Sequence, residues 1–371
     1  MMCNLQRRLC LAAAGAVLAA VLAAPVQAAA PYLTPDSTVA ELHGNEGIVG
    51  AGFDSWDRGT LLPEQPWEYP QWSLRRYIGA PVDDAVEALN LVIDNYNQGI
   101  QVTYPLYTAG EIAAEPTRAS AELYYFPAKE PGAKYAIVLS GNMLERTARV
   151  KEGCSAVAEL HRMGYAAFIL RYRVGHELKD NANYEDLVRA VQYVTDHADE
   201  LQVDPENYAM MGFSSGGQLC ALFGTDRMGY KNYGLPKPGA LLLAYPILNY
   251  VYGKPILFYV YDGAKPGDHL APGDYYYNVE IPAEASADFP ATFQWYGRND
   301  TTLRGVFPQW QSPALDRALA GFGVPHELVV YDKAPHGSGS GTGTDADGWI
   351  ERAAAFWENV TACMGMGKDT L

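Results

Sequence analysis

The sequence predicts an α/β fold, a mostly parallel central sheet with helices on both faces. Three observations predict it. From about residue 101 onward, short continuous apolar runs alternate with amphipathic stretches, the pattern of strands covered on both sides and of the helices that cross between them. The chain has 371 residues and 49% hydrophobic content, enough for one large core, and no Pro/Ser-rich or charged linker divides it. The stretch Tyr208–Phe223 reads as a short strand, a glycine-rich turn and a helix in immediate succession.

The first 28 residues are of a different character. Arg7 and Arg8 precede an uncharged Ala/Leu-rich run from Leu9 to Ala24, and Val26-Gln27-Ala28 places small residues where a signal peptidase reads. Residues 1–28 are therefore expected to be a secretory signal peptide, with the mature protein secreted or periplasmic. An uncleaved membrane anchor is the competing reading, and so many alanines make a weak one. The formal net charge of the chain is −16; without residues 1–30 it has 25 basic against 43 acidic residues, a net of −18. That balance argues against nucleic acid and against anionic membrane surfaces as partners. Of five cysteines, Cys154, Cys220 and Cys363 remain beyond the signal, an odd and widely spaced set that suggests neither a disulfide framework nor a metal site. One pairing, Cys154 with Cys363, is sterically conceivable, because the first and last helices of such folds flank the same sheet face.

Residues 29–100 are expected to be an N-terminal extension packed on a main domain spanning 101–365. Gly44 to Asp57 and Pro63 to Trp72 read as irregular, surface-wrapping pieces. Asp83 to Tyr96 reads as one amphipathic helix, from the spacing of Val86, Leu89, Val92 and Ile93. Trp56, Trp67 and Trp72 serve packing of the extension in this reading, with a substrate cleft as the alternative.

The regular part follows in order. Ile100–Tyr107 and Ala121–Phe126 read as an opening antiparallel pair, Tyr135–Leu139 as an apolar strand and Lys151–Met163 as a helix. Ala166–Tyr172 is the next strand and Tyr184–Leu201 the next helix, before Asp204-Pro205 breaks the chain. After the helix that follows Ser215 come strands at Ala240–Tyr245 and Ala291–Tyr296, a helix at Gln309–Ala320, a strand at Glu327–Tyr331 and a helix at Ala346–Val360. Between two of these strands, about residues 248–288, lies an insertion without periodicity and rich in tyrosine. Loops of that length are often lids. Tyr250, Tyr252 and Tyr276 are its candidate substrate contacts, and a loop packed on its own domain is the equal alternative.

Gly212-Phe213-Ser214-Ser215-Gly216 is a G-x-S-x-G pattern in a strand–turn–helix setting, which stands the Ser214 hydroxyl clear of the sheet edge. A serine is a poor nucleophile until a base takes its proton, and the imidazole needs a carboxylate to set its tautomer. Asp300 and His336 each follow a strand end, in the order serine, acid, histidine. His326 is a rival base but begins its strand, at the wrong sheet edge. Asp288 precedes its strand and Asp332 sits too near the base, so neither displaces Asp300. An oxyanion hole is expected from the backbone N–H of Ser215 and from the loop Ser140-Gly141-Asn142-Met143, where Gly141 permits close approach and Asn142 offers a side-chain amide.

These residues carry a resemblance. Arg171-Tyr172-Arg173-Val174, the helix with Asp186-Leu-Val-Arg-Ala190, Asp204-Pro205, Gly212-Phe-Ser-Ser-Gly-Gly217, Asp300, His336-Gly337 and Trp349 together resemble the α/β-hydrolase superfamily. Within it, the chain is similar to acetyl esterases and carbohydrate esterases of the acetyl xylan esterase kind, over about residues 102–360. The resemblance implies an α/β-hydrolase fold and a Ser214–His336–Asp300 triad that hydrolyses short acyl esters of small molecules or carbohydrates, with no cofactor and no metal. The family's usual loop is Pro-Gly-Gly-Gly, where this chain has Ser140-Gly141-Asn142-Met143, and the hole is where it departs from the pattern. An amide hydrolase on the same scaffold, formamidase- or peptidase-like, and a catalytically silent binding protein remain the alternatives.

Overall fold

The computed structural model describes residues 29–53, 69–141, 148–174, 181–248, 279–300 and 308–366. The expected signal peptide and the tyrosines of the expected lid lie outside the described residues, as does Asn142.

Four helices precede the sheet: α1 (Val39–Gly44), α2 (Glu46–Gly50), α3 (Leu74–Ile78) and α4 (Val82–Asn97). The strands are β1 (Thr103–Pro105), β2 (Glu122–Phe126), β3 (Tyr135–Leu139), β4 (Ala166–Arg171), β5 (Ala209–Phe213), β6 (Ala240–Ala244), β7 (Thr292–Gly297) and β8 (His326–Tyr331). Between and after them run α5 (Ala109–Ala114), α6 (Ser155–Arg162), α7 (Ala182–Asp196), α8 (Ser215–Leu222), α9 (Pro308–Phe322) and α10 (Trp349–Met366). The eight strands form one sheet in the order β1-β2-β4-β3-β5-β6-β7-β8. β2 is antiparallel to both β1 and β4, and every pair from β4 to β8 is parallel.

Strand residues alternate between two cores because successive side chains leave opposite faces of a sheet. In β3, Tyr135, Ile137 and Leu139 join the cluster shared with Leu187 and Val191 of α7 and Leu315 of α9. Ala136 and Val138 join the other cluster, which holds Trp349 and Trp357 of α10. The stripe Val86, Leu89, Val92 and Ile93 of α4 is buried in this second cluster, as the spacing predicts. So are Val39 and Leu42 of α1 and Ile48 of α2. The described residues of 29–97 thus contribute to one layer of the core.

Three expectations are corrected. The stretch beginning at Gly44 is not irregular as far as Phe53, because α2 lies within it. It and its neighbour are set by capping rather than by apolar periodicity. Thr38 and Glu41 form a capping box at α1, and the Asn45 side chain accepts from the N–H groups of Gly47 and Ile48 at the start of α2. The helix expected from Lys151 opens instead with a π-helical turn, Arg149–Cys154, before α6. Finally, Cys154 and Cys363 are not bonded: Cys154 is fully buried while Cys363 is exposed on α10, so both being helical does not bring them together. Burial pushes the Cys154 thiol up to about 12, which leaves it inert.

Candidate active site

The parallel strands β5, β7 and β8 end on one edge of the sheet, and each delivers one side chain there. Ser214 follows β5 with φ 50° and ψ −116°, a left-handed conformation that costs on the order of 1–3 kcal/mol in a residue with a Cβ. The turn is held by backbone bonds, from Ser214 N–H to Ala244 O at 3.0 Å and from Ile247 N–H to Ser214 O at 3.1 Å. It admits only glycine at its flanks. A Cβ on Gly212 would lie 2.6 Å from Gly217 Cα, and one on Gly216 would lie 2.2 Å from Leu139 O.

Asp300 comes from the turn after β7 and His336 from the loop after β8. The two loops cross closely: a Cβ on Gly297 would meet Ala334 O at 1.9 Å. His336 Nε2 stands 2.8 Å from Ser214 Oγ, and His336 Nδ1 stands 2.7 Å from Asp300 Oδ2. The carboxylate fixes Nδ1 as the protonated nitrogen and leaves Nε2 as the acceptor for the serine proton. Asp300 and Ser214 are both 3% exposed, so the hydrogen bonds run in a largely dry setting. The sequence-predicted triad residues are therefore brought together in hydrogen-bonding order.

The rivals are engaged elsewhere. His326 faces Asp316 at 3.7 Å and the carbonyl of Val324. Asp288 pairs with Lys231, and Asp332 with Arg298 at 2.7 Å.

The oxyanion side differs from expectation in one respect. Ser215 is the first residue of α8, so its N–H has no acceptor within the helix and lies beside the nucleophile. Gly141 does approach closely, since a Cβ there would lie 2.7 Å from Ser214 Cβ and 2.6 Å from Phe213 O. Its N–H, however, donates to Glu152 Oε2 at 2.7 Å and is not free for a substrate. Asn142, the other donor expected of this loop, lies outside the described residues.

Glu152 and Tyr245 are site residues that sequence reasoning missed. Tyr245 donates to Glu152 Oε1 at 2.9 Å, and its ring centre lies 4.7 Å from that of His336. Burial pushes the Glu152 carboxyl up, while the Gly141 N–H, the Tyr245 hydroxyl and the nearby His336 draw it back. The available signal was an acid on the buried side of an amphipathic run, alongside Val150, Cys154 and Val157. The motif Arg171–Val174 acts structurally. Buried Arg173 binds Asp186 Oδ1 through Nη2 at 2.7 Å, and the Tyr172 hydroxyl donates to Ser140 O at 2.6 Å, steadying the strand exit before Gly141. Among the described residues, no group of three or more His, Cys, Asp or Glu side chains could hold a metal ion, and no helix is long and apolar enough to cross a membrane.

Comparison with known proteins bears on the fold. Residues 123–232 match the family model BD-FAE. The chain is 24% identical over 198 residues to endo-1,4-beta-xylanase B of Butyrivibrio fibrisolvens, covering 50% of this chain and 29% of that protein. It is 25% identical over 129 residues to the acetylxylan esterase of Xylanibacter ruminicola (strain ATCC 19189), covering 35% of this chain and 26% of that protein. The chain thus spans less than a third of the length of either curated relative. Among solved structures, an acetyl ester-xyloside bifunctional hydrolase from Caldicellulosiruptor lactoaceticus superposes with a TM-score of 0.58 at 24% identity, over 70% of this chain and 96% of that one. The esterase LipW from Mycobacterium marinum gives 0.55 at 16% identity, over 78% and 89%. The fold is that of the α/β hydrolases.

Proposed function

We propose that this protein is a serine esterase that removes short acyl groups, acetyl foremost, from hydroxyls of carbohydrates or other small alcohols, outside the cytoplasm once its signal peptide is cleaved. The observation that carries the reading is the unbroken chain from Ser214 Oγ to His336 Nε2 at 2.8 Å and from His336 Nδ1 to Asp300 Oδ2 at 2.7 Å. The identities of two curated relatives, a xylanase and an acetylxylan esterase, support the substrate class.

In this reading Ser214 Oγ attacks the ester carbonyl as His336 Nε2 takes its proton, and Asp300 steadies the imidazolium that results. The negative charge gathering on the carbonyl oxygen meets the Ser215 N–H at the positive end of α8. His336 returns the proton to the departing alcohol, then draws one from the water that frees the acyl-enzyme. Every step moves protons and electron pairs among these residues, the substrate and water, so the reaction needs no cofactor.

The test is intact mass after a fluorophosphonate probe, run beside Ser214→Ala, followed by esters of rising acyl length and acetylated xylo-oligosaccharides. One adduct on the wild type alone, with fastest turnover of acetyl esters, is the expected result. No adduct and no turnover would overturn the reading and favour a binding protein on a hydrolase scaffold.

A further inference from the structure

Four segments that must agree in position meet at one buried hydrogen-bond network beside the triad. The Tyr245 hydroxyl accepts the N–H of Gly339 at 3.0 Å and donates to Glu152 Oε1 at 2.9 Å. Glu152 Oε2 accepts the N–H of Gly141 at 2.7 Å. Gly339 lies three residues past His336, and Gly141 packs on Ser214, so the network joins the histidine loop to the oxyanion loop. Resting on the esterase reading, we propose that Glu152 and Tyr245 are positioning residues that hold these two loops in one register about Ser214.

The backbone around the pair is shaped for this. Among the described residues Tyr245 is one of four with a Cβ at positive φ (39°), held by its own N–H to Trp295 O at 2.7 Å. The strand β6 ends immediately before it, and the unusual φ turns its side chain beneath the site, where its ring meets His336. Glu152 sits in the π-helical turn before α6, whose wider winding often marks functional places in a helix. Gly339 presses on that same turn: a Cβ there would lie 2.8 Å from Lys151 O. Trp349 closes the other side by donating from Nε1 to Gly339 O at 3.0 Å. Charged or titratable groups facing the network are Asp300, His336 and Lys151.

Both Glu152 oxygens accept, one from an amide and one from a phenol. A glutamine there has a single acceptor oxygen, so either the Gly141 N–H or the Tyr245 hydroxyl loses its partner. Tyr245→Phe removes the common member and leaves both the Gly339 N–H and Glu152 Oε1 unpaired. The consequence is a small displacement of the donor loop or of His336, and displacements near 1 Å can cost about 10²-fold in rate.

The experiment compares wild type, Tyr245→Phe, Glu152→Gln and the double variant by kcat and KM on an acetyl ester, and by hydrogen exchange at Gly141 and Gly339. Expected are kcat losses of roughly 10- to 100-fold with KM within about twofold, and a double variant no worse than the poorer single one, since both break one network. Exchange should quicken at Gly339 in Tyr245→Phe, and in Glu152→Gln at Gly141 or Gly339, according to which partner keeps the single acceptor oxygen. Unchanged kcat in folded variants, or losses that multiply in the double variant, would overturn the proposal. Should Tyr245→Phe lack a native unfolding transition, the nearly isosteric Glu152→Gln decides by the same measures. A wild type without esterase activity would sink the functional reading instead. The exchange data would then still decide the network, and unaltered exchange at both glycines would overturn it.

Discussion

Asp84 Oδ2 stands 3.2 Å from Thr342 Oγ1, joining a helix of the first hundred residues to the loop that carries His336. Ser340 Oγ reaches the same oxygen at 3.4 Å, while Arg162 holds Asp84 Oδ1 at 2.8 Å. The histidine loop is thus anchored on its far side by α4, and on its near side by Tyr245.

Asp84→Ala should therefore act on the loop as well as on the fold. Two hydroxyl bonds and a partly exposed ion pair are worth about 1–2 kcal/mol together. The expected outcome is a lower urea midpoint, faster hydrogen exchange over residues 338–344 and a several-fold lower kcat. Retained midpoint and exchange would show that the anchor contributes nothing.

Asp300→Asn tests the orientation of the imidazole. With an amide in place of the carboxylate, Nδ1 need no longer carry the proton, and Nε2 ceases to be a reliable acceptor for Ser214. A loss of about 10⁴-fold in kcat is expected with little change in fold. Adding Ser214→Ala to His336→Ala should cost no more than either alone, because the residues act as a unit. Steady-state hydrolysis of an acetyl ester reads both.

Glu159 on α6 offers a pH prediction. Burial first, then the carboxylates of Glu351 and Asp84, push it up to about 9 from an ordinary 4.5. The folded state then holds a proton that the unfolded chain releases, so this contribution is full below about pH 4.5 and is lost as pH rises toward 9. Glu159→Gln, which mimics the protonated form, should stabilise the protein by on the order of 2 kcal/mol at pH 8 and by almost nothing at pH 4. Denaturant unfolding at both values checks it; a gain of equal size at both would remove titration as its source.

The order and kind of the elements from β2 to α10 were legible in the sequence, because each strand is a continuous apolar run and each helix a periodic one. Ser214, Asp300 and His336 were legible because a short loop just past a strand end leaves a side chain few places to be. The same reasoning excluded His326, Asp288 and Asp332, which the structure engages elsewhere. The short helices α1 and α2 were hidden, since they rest on Thr38, Glu41 and Asn45 as caps rather than on any apolar stripe.

What the sequence by itself determined is local: strand, turn and helix, and the glycines without which Ser214 could not turn. What only the tertiary structure decided is which distant groups meet. The N–H of Gly141 goes to Glu152, Tyr245 bonds across 93 residues to that carboxylate, and Asp84 grips a loop more than 250 residues away. Such pairings have no period and no motif, because they are set by how the elements stack and by the need of each buried polar group for a partner.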